Sequence, residues 1–78
     1  MAQLRFFGPL RDVTKTSSLE IEAGTVDDAV ATAVNLFGDD FAKIMKRSRV
    51  WVNGEQSEGT RVLLQNDEVA ILPPVSGG

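Results

Sequence analysis

The 78-residue sequence contains no cysteine, no histidine and no tyrosine. Without cysteine there is no disulfide, no thiolate nucleophile and no cysteine-based metal site. Without histidine the commonest general base and the commonest metal ligand are missing. A self-sufficient catalytic site would have to be built from Asp, Glu, Lys, Ser and Thr, and no motif arranges them for it. The expectation is therefore a protein that is not catalytic alone, with no metal and no bound cofactor. No apolar run approaches the roughly 20 residues of a membrane span. The N-terminus lacks the charged start and long apolar stretch of a signal peptide, so a cytoplasmic location with no membrane partner is expected. Eight Lys and Arg stand against eleven Asp and Glu, a net charge of -3. That balance argues against a nucleic-acid partner, which needs clustered cations. It suits an acidic protein docking on a basic patch of its partner.

What is present fits one small domain. The composition is 42% hydrophobic and 24% charged, and a chain of this size buries only about 60% of its unfolded surface. Gln3-Leu4-Arg5-Phe6-Phe7 reads as a strand with Leu4 and Phe6 on one face. Phe7 then points away from the core, either free or covered by the following loop. Gly8-Pro9 breaks the strand, and Leu10 to Thr14 has the spacing of one helical turn, with Leu10 and Val13 inward. Ser18 to Glu22 alternates as a second strand and forms a hairpin with the first.

Thr25 is an N-cap, followed by Asp27 and Asp28 where the helix dipole favours anions. Val26, Ala29, Val30, Ala33, Val34 and Phe37 form the apolar stripe of the main helix, closed at Gly38. Asp39-Asp40 caps a short apolar cluster of Phe41, Ile44 and Met45. Lys46-Arg47-Ser48-Arg49 is the only basic cluster and reads as a solvated loop. Val50-Trp51-Val52 is a third strand, ended by the turn dipeptide Asn53-Gly54. Glu55 to Gly59 is too polar for a buried element, and Arg61 to Leu64 is an edge segment or a helical turn. Glu68 to Leu72 is the last strand, with Val69 and Ile71 on one face and Ala70 and Leu72 on the other.

The order β-β-α-β-β gives an α+β fold, with one main helix on one face of a mixed sheet. Part of the opposite face stays open, with Phe7 and Leu72 as partner-contact candidates. The expected division is a domain over residues 1–72 and an extended tail over residues 73–78. That tail is Pro73-Pro74-Val75-Ser76-Gly77-Gly78. Prolines fix φ and favour an extended stalk. Glycine lacks a Cβ and passes where no side chain fits. The bland alternative is an idle terminus. The chemical alternative is a slim probe whose reactive group is the α-carboxylate of Gly78.

Four stretches carry a resemblance: Leu4-Arg5-Phe6-Phe7-Gly8, Thr25-Val26-Asp27-Asp28-Ala29, Val52-Asn53-Gly54, and Asn66-Asp67-Glu68-Val69-Ala70 leading into the tail. Together they resemble the β-grasp, ubiquitin-like sulfur carriers, most nearly the small subunits of molybdopterin synthases. The resemblance implies that Gly78 is adenylated by an E1-like enzyme using ATP. A sulfur donor protein then converts it to a thiocarboxylate. Val75, Ser76 and Gly77 would thread the partner's active site, while Phe7, Leu72, Pro73 and Pro74 would meet its surface. The partner implied is the large catalytic subunit, in an assembly of two small and two large subunits. Sulfur would pass to a cyclic pterin precursor of the molybdenum cofactor. Other recipients remain open: thiamine thiazole, cysteine, transfer RNA, or, for a ubiquitin-like modifier, the lysines of other proteins.

Overall fold

The computed structural model describes residues 1–73. Along them the chain forms β1 (Ala2–Phe6), α1 (Pro9–Thr14), β2 (Ser18–Ile21), α2 (Val26–Phe37), α3 (Asp39–Met45), β3 (Arg49–Val52), β4 (Glu55–Gln56) and β5 (Glu68–Leu72). The strands make one sheet in the order β2-β1-β5-β3-β4. At its centre β1 and β5 run parallel, with Leu4 beside Val69 and Phe6 beside Ile71. The hairpin partner β2 and the strand β3 flank them antiparallel. This is the mixed-sheet β-grasp arrangement expected from the sequence.

Period-two alternation sets the two faces. Ala2, Leu4, Phe6, Ile21, Val52, Val69 and Ile71 are buried on the helix-covered face. Phe6 meets Phe37 of α2 and Phe41 of α3 edge-on, with ring centroids 5.7 and 5.8 Å apart. Such aromatic pairs add about 0.5–1.5 kcal/mol each beyond the area they bury. They tie both helices to one point beneath the end of β1.

Helix α2 starts where Thr25 Oγ1 accepts the Asp28 N–H at 3.2 Å. Two further N–H groups of its first turn also find partners, Val26 donating to the Arg61 carbonyl and Asp27 to that of Gly59. The polar stretch before β5 thus caps the main helix. A Cβ at position 59 would meet the exposed Asp27 carboxylate, which would have to swing aside to admit it. Arg61 to Leu64 is neither a helical turn nor a full strand. It forms a single bridge, Thr25 to Val62, and sends Leu63 inward while Val62 and Leu64 stay exposed.

Three details differ from the sequence expectation. Residues 9–14 form a genuine helix that buries Thr14 as well as Leu10, with Val13 half-buried against the core as its spacing predicts. Glu55–Gln56 adds a fifth, fully exposed strand, because backbone pairing beyond the Asn53-Gly54 turn requires no apolar side chain. Neither Asp39 nor Asp40 caps α3. Gly38, at φ 87°, is both the C-cap of α2 and the N-cap of α3, and the two aspartates lie in the first turn. A glycine tolerates that dihedral where an L side chain is strained, so one residue makes the corner between two helices.

Candidate functional site

The central strand β5 leaves the sheet at Leu72 and leads into Pro73. Pro73 rests against Gly8, the residue that turns the chain from β1 into α1. Gly8 has φ 56°, and a Cβ there would stand 3.2 Å from the Pro73 ring. Glycine is needed on both counts, to make the reversal and to let the tail root lie close. The Phe7 and Gly8 carbonyls accept the N–H groups of Leu10 and Arg11, so the same corner starts α1.

Phe7 is 39% exposed, and the parallel register of Phe6 with Ile71, continued by one residue, sets it beside Leu72. Leu72 and Pro73 are half-buried. Leu72 lies on the open face of the sheet, where it pairs with Arg49, and Ala70 pairs with Trp51. Phe7, Leu72 and Pro73 therefore gather at one end. Pro74, Val75, Ser76, Gly77 and Gly78 lie outside the described residues. Gly8, Arg49 and Trp51 were not singled out as site residues from the sequence. The alternation of Val50-Trp51-Val52 carried the signal for Trp51. The Gly8–Pro73 contact joins residues 65 apart, and no local pattern reveals it.

Charge is unevenly distributed. Arg11 on α1, Lys15 at its C-cap, and Lys43, Lys46, Arg47 and Arg49 running from α3 into β3 are all exposed at the end where β1 and β5 finish. They are six of the eight cations in the chain. Asp12, Asp39 and Asp40 are the carboxylates at that end. At the opposite end stand Glu20, Glu22, Asp67 and Glu68, while Asp27 lines a cavity between the two ends that it shares with Arg49. Net charge alone pointed to an acidic docking surface, but the end bearing the tail is the cationic one. An open groove of about 600 Å³ beside the root is lined by Gly8, Arg11, Asp12, Lys15, Thr16 and Ser17.

The far end is held by polar bonds. Asn53, at φ 51°, donates from its amide to Asp67 Oδ1 at 2.8 Å and accepts the Glu68 N–H at 2.9 Å. The other oxygen of Asp67 accepts the Leu64 N–H at 2.8 Å. These bonds, the Leu64 N–H first and the Asn53 amide second, hold the Asp67 carboxyl below its usual range, with Arg61 nearby in support. Among the described residues no group of three or more carboxylates gathers as a metal site. None of their helices is long and apolar enough to cross a membrane.

The chain resembles several solved structures over nearly its full length. The small archaeal modifier protein SAMP1 of Haloferax volcanii is 27% identical, with a TM-score of 0.81 and coverage of 99% of this chain and 98% of that one. A chain of the BexX/CysO complex of Amycolatopsis orientalis is 21% identical, with a TM-score of 0.84 and both chains covered in full. A chain of the complex of subunits 1 and 2 of the molybdopterin-converting factor of Helicobacter pylori is 23% identical. Its TM-score is 0.71, with coverage of 99% of this chain and 97% of that one. No curated protein matches the sequence. The ThiS family model matches residues 4–78, from within the first strand through the Gly-Gly tail. With its central parallel pair, capped main helix and glycine-seated tail root, the chain belongs to the ThiS family of β-grasp sulfur carriers.

Proposed function

We propose that this protein is the sulfur-carrying small subunit of a molybdopterin synthase, with the terminal carboxylate of Gly78 as its working group. The observation that carries the reading is the family match, which extends through Pro73-Pro74-Val75-Ser76-Gly77-Gly78. A carboxylate is ionised at neutral pH, its reference pKa being about 3.3–3.7, and its delocalised charge makes it a poor electrophile. One of its oxygens attacks the α-phosphorus of ATP on an E1-like enzyme and expels pyrophosphate. A donor protein then supplies sulfur at the oxidation level of sulfide. Attack at the acyl carbon releases AMP and leaves a thiocarboxylate. In the large subunit the sulfur passes to a cyclic pterin precursor, and the carrier returns to the carboxylate with an oxygen from water. The protein contributes reach and aim, and its partners contribute catalysis. Phe7, Leu72, Pro73 and Pro74 meet the large subunit, and Val75, Ser76 and Gly77 thread its channel. The working assembly holds two small and two large subunits and resides in the cytoplasm.

The test is intact-mass measurement after incubation with an adenylating enzyme, ATP and a sulfur donor. Replacement of one oxygen by one sulfur at Gly78 is the expected outcome. An unchanged mass with every adenylating enzyme of the source cell would overturn the reading. The likeness to SAMP1, at 27% identity, favours a second reading, in which activated Gly78 is joined to lysines of other proteins. Isopeptide-linked adducts, found with or without cofactor synthesis, decide between the two.

A further inference from the structure

We infer that the cations around the tail root form a docking surface for an acidic protein face, one that rims the mouth into which the tail is threaded. The inference rests on the carrier reading for the identity of the tail's receiver, but the surface itself is read from charge and geometry.

The cations lie on two sides of the root. Arg11 and Lys15 stand on the α1 side, where Gly8 seats Pro73. Lys46, Arg47 and Arg49 stand on the β3 side, with Arg49 directly across from Leu72. Among the described residues the ion pairs are Arg5–Glu68 and Arg61–Glu55, both at 3.7 Å. The tail-end cations have no carboxylate partner among those residues. Six like charges gathered at one end of so small a domain repel one another even across water. Arg11, Lys43 and Lys46 suit the C-terminal turns of α1 and α3, but that local role does not call for all six cations at one end. What the grouping provides is a field at the end that has to be aimed.

The meeting of a carrier with its receiver is limited by encounter and orientation, and complementary charge accelerates both. Opposite signs at the two ends also give the molecule a direction, because an acidic receiver attracts one end and repels the other. A nucleic acid fits less well. The patch is interrupted by Asp12, Asp39 and Asp40, which phosphates would repel but which basic residues on a protein face can pair. The acidic far end, too, opposes any long polyanion.

The experiment uses the full chain in two arms. In the first, backbone amide NMR follows titration with a short poly-glutamate peptide and, separately, with oligo-deoxythymidine. Poly-glutamate is expected to shift amides in α1 and from Lys43 to Arg49. The shifts should disappear in the K46E/R47E/R49E variant and persist in E20Q/E22Q. If that triple variant does not fold, R11E/K15E on the other side of the root serves the same purpose. In the second arm, kcat/KM for adenylation of Gly78 is expected to fall roughly tenfold from low to high salt, and by a similar factor in the charge-reversed variant, with kcat unchanged. Absence of poly-glutamate shifts, tighter binding of oligo-deoxythymidine, or a salt-independent kcat/KM identical in variant and parent overturns the inference. Mapped shifts with no adenylation of Gly78 by any activating enzyme instead sink the carrier reading and leave the surface standing.

Discussion

The two ends of the sheet are built on opposite principles. At the far end Asn53 and Asp67 answer one another and two backbone N–H groups, and the loop carbonyls of Gly59 and Arg61 fill the N-terminus of α2. Polar groups there are spent on one another. At the tail end the cations stay without carboxylate partners among the described residues, and Phe7 stays 39% exposed. The corner itself rests on a glycine at φ 56°. The far end serves the fold. The tail end keeps bonding capacity that the fold does not use among the described residues.

Substitutions that separate stability from transfer put this contrast at risk. The largest effect is expected from Gly77→Val. Sulfur transfer should be lost, with the unfolding midpoint unchanged, if the tip has to pass where only a residue without a Cβ fits. A variant that transfers sulfur normally would mean that slimness at the tip is irrelevant. Gly8→Ala should cost about 1–3 kcal/mol in denaturant unfolding and also slow transfer, since the added methyl presses on Pro73. A loss of stability without any loss of transfer would show that the seat of the tail root has no functional part.

Asn53→Ala is expected to act in the opposite sense. It removes two hydrogen bonds and leaves alanine at positive φ, for about 1–2 kcal/mol of destabilisation. Transfer per folded molecule should be unaffected, and slowed transfer at equal folded fraction would blur the division between the ends.

The smallest effect is the pH dependence carried by Asp67. Its pKa is lowered in the folded state, so below the ordinary value of 3.8 the unfolded chain binds the proton first. The stabilisation is complete above that value and is lost as pH falls toward the folded pKa. Asp67→Asn should flatten the acid limb of the stability profile. An unchanged limb would show that the clamp carries no net charge-linked stability.

How much of this could be read from the sequence follows the reach of each interaction. The main helix was legible because its cap, dipole charges and apolar stripe are local. The faces of β1 and β5 were legible because alternation is local too. The exposed strand β4 was not, because Glu55 and Gln56 carry no apolar signal and are placed by the turn before them. The Asn53–Asp67 clamp spans 14 residues. Both members lay in recognisable turn dipeptides, yet nothing in either named the other. Of the site, Phe7, Leu72 and Pro73 were legible as residues. Their meeting with Gly8 depends on the parallel pairing of the first and last strands, which only the fold supplies. Net charge misled for a related reason, since a sum over the chain carries no direction.

The position of β5 has a mechanical consequence. The strand that carries the tail lies between β1 and β3, hydrogen-bonded to both. Tension applied along the tail runs parallel to those two ladders and loads their bonds together in shear, rather than peeling them off one at a time. A pull on the C-terminus is therefore taken up along the strongest axis of the domain, and the sheet resists being unravelled from its last strand.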